Sequence, residues 1–319
     1  MTRNITESFL GLSILDAPIT RARVIDYVIE RNLQKTSEWE LITEDHPCFA
    51  PALEFRDQWG IRSEVWNNFS RLLQGWRQLP LILLHNPSNT HDMAFEEMIQ
   101  GYTLNWISEQ LATSHLSIPQ VPILDVCSFF SDGDLQAMDE TTRYEAVEAS
   151  YDLTESILAI LKPRVILSCQ CATQGYSEAG QEVRRRASNL VARQLGSTIK
   201  DAVAKRASPI DIQGHRVWVV KGFHPSALRH RPDNEPDLLR LFEEIYEPYT
   251  RWKRPAVIET LEQTIIGIET LLSSLEICRS RLEDLCLRKK HVRTTTQLIA
   301  ELEQSRKGFQ SVVQCLKAS

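Results

Sequence analysis

Apolar residues in this chain follow two patterns. Short continuous runs, Leu79 to Leu84, Ile123 to Val126, Arg164 to Ser168 and Arg216 to Val220, are too brief for helices and read as buried strands. Pro119 and Pro122 set the start of the second run at Ile123. Longer stretches carry apolar residues at helical spacing: Ile19 to Ile42 (Val24, Tyr27, Val28, Leu33), Phe55 to Leu73, Met98 to Leu111, Asp139 to Leu161 and Gln181 to Leu195. Buried strands alternating with helices predict an α/β fold, three-layered α/β/α, with a short, mainly parallel, four-stranded central sheet.

Beyond Pro248 and the basic, aromatic stretch Arg251 to Pro255 the pattern changes. Leu261, Ile265, Ile268, Leu272 and Leu275 recur at alternating spacings of four and three, and Leu282 and Leu285 continue the seam. Lys289 to Arg293 interrupts it, Thr294 and Gln297 have capping-box spacing, and Leu298, Leu302, Phe309, Val313 and Leu316 form a second stripe. The expectation is an α/β domain with an N-terminal helical extension over 1–250 and a coiled-coil-like helical hairpin over 251–319. Two helices bury little surface by themselves, so the hairpin is expected to dock on the main domain, to bind a protein partner or to self-associate.

The 319 residues are 42% hydrophobic, an ordinary globular composition. No apolar run reaches the roughly eighteen residues that span a bilayer, and Met1 to Pro18 is broken by Asn4, Glu7 and Asp16 before a signal core can form. No membrane association is expected, and an intracellular location, nuclear or cytoplasmic. Seven scattered cysteines do not form a disulfide framework, and Cys169-Gln-Cys171 lacks zinc-knuckle spacing, so neither metal nor cofactor is expected. The net charge of −6 argues against a surface that attracts nucleic acid everywhere. Its distribution is uneven. From Leu81 to Leu161 Arg143 is the one basic residue, whereas Lys162 to Arg231 holds Arg184, Arg185, Arg186, Arg193, Lys200, Lys205, Arg206, Arg216, Lys221, Arg229 and Arg231 against four acids. Lys221, Arg229 and Arg231 are the candidates for phosphate contact; a solvated helix face is the other reading of such a run.

Two strand-to-loop junctions carry candidate chemistry. The first is Leu81-Ile-Leu-Leu-His-Asn-Pro-Ser88, the second Val217 to Val220 followed by Lys-Gly-Phe-His224-Pro-Ser-Ala-Leu-Arg229. In open α/β sheets ligands bind beyond the carboxyl ends of the strands, where both loops fall. Together Leu84 to Ser88 and His224 to Leu228 resemble the paired active-site motifs of the uracil-DNA glycosylase superfamily, a first Gly-x-Asn-Pro-Gly or Gly-x-Asp-Pro and a late His-Pro-Ser-x-Leu. The likeness covers roughly residues 55 to 245. It implies hydrolysis of the N-glycosidic bond of uracil or a related base in DNA, single-stranded or with the base flipped out. By resemblance Asn86 holds the attacking water, His224 hydrogen-bonds the departing base, Ser88 and Ser226 grip flanking phosphates, Phe95 stacks on the base and Leu228 fills the vacated stack. His85 is a further candidate proton donor.

Several residues have a plainer reading. Asn86 can serve the turn before Pro87, Leu228 can be an ordinary buried leucine, and His85 a histidine hydrogen-bonded beside a turn. Asp125 stands at the end of the second strand, where the superfamily often has an asparagine. An ionised aspartate offers only acceptors. It is protonated in an apolar pocket, or reads an amino-bearing base, or caps a loop in a site that no longer takes uracil. Two rivals follow: a catalytically inactive nucleic-acid-binding or scaffold protein on the same fold, and a hydrolase of a small nucleotide or nucleoside.

Overall fold

The structure is a computed structural model that describes residues 20–35, 39–170, 194–284 and 289–318. The chain divides into two compact units, Met1–Tyr249 and Thr250–Ser319. The first opens with α1, made of Arg21–Val24, a π turn Ile25–Ile29 and Glu30–Leu33, and the short strand β1, Leu41–Ile42. Helices α2, Ala50–Trp59, and α3, Ser63–Leu73, follow. The sequence joins them in one segment; they are separated at Gly60, whose φ of 63° is the left-handed cap that ends α2. Strand β2, Gly75–Trp76, pairs with β1. Next come β3, Leu81–Leu84, the short helix α4, Phe95–Met98, α5, Tyr102–Thr113, and β4, Ile123–Asp125. Then follow α6, Asp132–Ala137, α7, Glu140–Leu161, β5, Val165–Ser168, α8, Ile199–Val203, and the hairpin β6, Ala207–Ile212, with β7, His215–Lys221. The expected helix over 181–195 lies largely outside the described residues.

The fold is mixed α/β, and its central sheet has five strands, not four, in the order β4-β3-β5-β7-β6. β4, β3, β5 and β7 are parallel; β6 pairs antiparallel with β7. The fifth strand hides in the sequence because Pro209 removes a ladder donor and the run alternates polar with apolar residues. Both features suit an edge. Gln213 and Gly214, with φ of 49° and 82°, make the two-residue turn whose twist matches the hairpin.

Leu81, Leu83, Leu124, Ile166, Val217 and Val219 point from one face into a single core with Phe55, Phe69, Tyr151 and Ile157 of α2, α3 and α7. Their neighbours Ile82, Leu167 and Val220 are buried on the other face, as the period-two geometry of a strand requires. Each fully buried aliphatic side chain contributes about 1.5–3 kcal/mol. That second face is covered from α5 and from the start of α9, Glu235–Asp284: Phe242 meets Trp106 edge-on at 5.1 Å, and the Tyr246 hydroxyl donates to the Pro80 carbonyl at 3.0 Å.

In the second unit the rest of α9 pairs with α10, Lys289–Ala318, through Ile268, Leu272 and Ile299. Ion pairs Lys317–Glu262 and Arg306–Glu269 set the two antiparallel. Two expectations shift here. Ile299 takes the seam place expected of Leu298, which is exposed, and Lys289 to Arg293 lies inside α10 rather than interrupting it. Leu285 lies outside the described residues. Among the described residues no helix is long and apolar enough to cross a membrane.

Candidate active site

Four parallel strands end at the same side of the sheet, and backbone hydrogen bonds carry the ladder past their last residues. Cys127 N–H donates to His85 O at 2.8 Å, Cys169 N–H to Leu83 O at 2.8 Å, and Gly222 N–H to Ser168 O at 2.8 Å. The loops after β3, β4 and β7 are thereby held together. Gly222 lets the strands close this tightly: a Cβ there would stand 2.8 Å from Leu241 Cδ2 and 3.2 Å from Ser168 O, so its neighbours would have to shift.

The loop after β3 is braced from two directions. Asn68, buried on α3, donates both amide hydrogens, to His91 O and Met93 O, each at 2.8 Å. From the other side α6 receives it: Asn86 Nδ2 donates to Asp132 Oδ1 at 2.7 Å, Gly133 N–H donates to Asn89 Oδ1 at 3.1 Å, and His91 Nε2 lies 3.4 Å from Asp134 Oδ2. Asn86 Nδ2 also reaches Pro87 O at 3.2 Å. With its donors so engaged, the atom of this amide able to accept from water is Oδ1.

His224 caps the 3₁₀ turn Pro225–Arg229. Its Nδ1 accepts the Ser226 backbone N–H at 3.2 Å and lies 2.7 Å from Ser226 Oγ, so the proton of the neutral ring resides on Nε2. Surrounding protein atoms desolvate the ring although the residue still lines a cavity, and this burial pushes its pKa down from 6.5 to about 4. The imidazole is neutral at physiological pH and a donor through Nε2.

Asp125 pairs in register with Leu84, next to the loop that bears Asn86. Burial pushes its carboxyl pKa up from 3.8 to about 7, and Oδ1 has no hydrogen-bond partner among the described residues.

These groups line one cavity of about 390 Å³. His85, Asn86, Ser88, Asp125, His224, Ser226 and Arg229 all border it. The remaining expected site residues lie elsewhere. Phe95 is buried with the Arg71 guanidinium 3.7 Å over its ring and does not border the cavity. Leu228 is buried in the 3₁₀ turn, the plainer of its two readings, so it is no exposed wedge. Lys221 Nζ is engaged by Gln194 O at 2.6 Å and Gly196 O at 2.9 Å, and Arg231 is exposed outside the cavity. Arg184 to Arg186 and Arg193 lie outside the described residues.

Two cavity residues escape sequence reasoning. Asp132 meets Asn86 across 46 positions of chain, a contact that no periodicity signals. Tyr102, at the first residue of α5, brings the aromatic ring to the cavity wall, with the Arg229 guanidinium 4.4 Å over it. Among the described residues no group of three His, Cys, Asp or Glu side chains is arranged to hold a metal ion. Comparison with known proteins finds no family model and no curated protein that matches this chain.

Proposed function

We propose that this protein hydrolyses the N-glycosidic bond of a base in DNA, uracil or a relative, in the manner of the uracil-DNA glycosylase superfamily and on its three-layer α/β/α frame. The observation that carries this reading is that Asn86, Asp125 and His224, from three different strand ends, border one cavity large enough for a flipped nucleotide. Cleavage separates charge: the sugar becomes cationic while the departing base becomes anionic. The neutral His224 imidazole donates from Nε2 to the base oxygen where negative charge develops, and needs no protonation change to do so. Asn86, fixed by Asp132, offers Oδ1 to a water aimed at the anomeric carbon, and the Asp132 carboxylate adds a negative field where the sugar turns positive. Tyr102, rather than Phe95, supplies the ring on which the base stacks. Asp125 faces the base edge and, with a pKa of about 7, changes from donor to acceptor near neutrality. Such an enzyme would work in the nucleus or cytoplasm, on single-stranded DNA or on a flipped base.

The test is release of uracil from a single-stranded oligonucleotide, read as abasic sites. His224→Ala is expected to lower the rate at least about a hundredfold, the usual loss for one oxyanion donor, and Asn86→Ala and Asp132→Ala to lower it less. Activity unchanged in His224→Ala and Asn86→Ala would refute the assignment. The cavity volume also suits a free nucleoside, so nucleosides belong in the substrate panel. Binding of DNA with no base released from any substrate would make the protein a non-catalytic nucleic-acid binder.

A further inference from the structure

A second concavity, of about 480 Å³, opens at the other end of the parallel strands. Its walls are Tyr27 and Arg31 of α1, Arg164 just before β5, and His215, Arg216 and Trp218 of β7. Arg31, Arg164 and Arg216 are exposed, and none of the three has a carboxylate partner within ion-pair distance among the described residues. Elsewhere in this unit Arg62 is paired with Asp92, Arg71 with Glu96 and Arg206 with Asp201, whereas Arg229, Arg231 and Arg240 are exposed without a carboxylate partner among the described residues, so it is the gathering of three such groups around one concavity that marks this place. The Arg164 guanidinium is held in place by Asn32 Oδ1 at 2.7 Å, and His215 Nε2 by Pro163 O at 3.1 Å, so two of the polar groups are pre-set. Arg164 also borders an adjoining hollow lined by the exposed Lys162 and by Lys35 and Arg77, the last paired with Glu40 at 3.0 Å. Lys162 thus extends the positive charge from one concavity into the next, while Tyr27, 47% exposed, and the half-buried Trp218 present aromatic surface inside the first.

Three guanidinium groups with no carboxylate partner among the described residues, beside two aromatic rings, suit a ligand with both phosphate and a planar base. Guanidinium forks match phosphate oxygens in geometry as well as charge, and indole and phenol rings stack on any base. A carboxylate ligand would use the arginines and leave the rings idle; an apolar ligand would do the reverse. We propose that this groove binds a nucleotide, free or as part of a single strand, at a site separate from the candidate active site. The adjoining hollow at Lys162 would take the next phosphate of a strand. The site stands whether or not the protein releases bases.

Ultraviolet crosslinking of the full chain to a twelve-residue oligothymidylate, with adducts mapped by mass spectrometry, gives a local readout. Adducts at Tyr27 or Trp218 are expected, and adducts confined to other peptides would overturn the proposal. The exposed pair Arg31→Ser with Arg216→Ser should weaken binding by roughly tenfold for each guanidinium lost, with an unaltered unfolding midpoint and unaltered base release. Wild-type affinity in that double variant would also overturn it. His224→Ala should keep the Tyr27 and Trp218 adducts; their loss would merge the two sites and refute the proposal. Thymidine 5′-monophosphate competing as well as the oligomer, residue for residue, identifies a free nucleotide as the ligand, and much weaker competition identifies a strand. Inorganic phosphate competing equally with the monophosphate would show that no base is held and refute the assignment.

Discussion

Replacing Asp125 by asparagine should stabilise the folded protein above neutral pH and do little in acid. The carboxyl is buried, its Oδ1 lacks a partner among the described residues, and its pKa stands at about 7 against 3.8 for an ordinary aspartate. Between those two values the folded state holds a proton that the unfolded chain has released, so stability falls as pH rises through this window. The favourable contribution is fully present below pH 3.8 and lost as pH passes about 7. At about 1.4 kcal/mol for each pH unit, the difference between 3.8 and about 7 gives a ceiling of about 4 kcal/mol. Water entering from the cavity reduces this, and about 2 kcal/mol is the working expectation. Asparagine keeps the shape and carries no charge at any of these pH values. Urea unfolding of both proteins, followed by tryptophan fluorescence from pH 4 to pH 8.5, gives the free-energy gap directly, and groups common to both cancel in it. The gap should open in the variant's favour up to about pH 7 and then level off. A gap that is constant with pH, or that closes as pH rises, would refute the buried-carboxyl account. Under the proposed function the same variant places a permanent donor at this position, so uracil release should gain on cytosine release by about ten- to a hundredfold.

Two further outcomes are expected. His224, neutral when folded and with a pKa of about 4 against 6.5, loses stability for the folded state as pH falls from 6.5 through about 4, so His224→Gln should flatten the acid limb of the wild-type stability curve by up to about 3 kcal/mol; parallel limbs in the two proteins would show that the ring is not desolvated. Gly222→Ala should cost about 1–3 kcal/mol in urea unfolding, as overpacked cores do, and pairing it with Leu241→Ala should cost less than the sum of the two single changes; strict additivity would mean that the added methyl does not meet Leu241.

The parallel strands were legible because each is a closed apolar run, Leu81–Leu84 most plainly, and a strand buried on both faces can be little else. β6 was not, since an edge strand exposes half its residues and tolerates Pro209, so the cues that mark a central strand are absent. Helices α2 and α3 look like one segment in sequence because a single left-handed glycine separates two stretches of the same period. In the hairpin, neighbouring apolar residues Leu298 and Ile299 both fit a seam, and only packing chooses Ile299. The candidate site shows the same division. Asn86, Asp125 and His224 were placed by the strand ends that carry them. Asp132 and Tyr102 reach the cavity from helices whose placement depends on tertiary contacts, and Phe95 turns away to Arg71 for the same reason.

The order of strands in the sheet has a consequence for how the cavity comes into being. β3 and β7 do not touch; β5 lies between them, so the loop bearing Asn86 meets the one bearing His224 only after a strand from the middle of the chain is in place. During synthesis a chain that has emerged as far as β5 holds Asn86 and Asp125 at the rim of an unfinished sheet, with the β5 edge open. Its exposed backbone groups await β7, and any other strand could occupy them first. The cavity is therefore among the last features to form, and a fragment that ends before residue 215 lacks both its His224 wall and the β7 and α9 side chains that complete the packing on the two faces of the sheet.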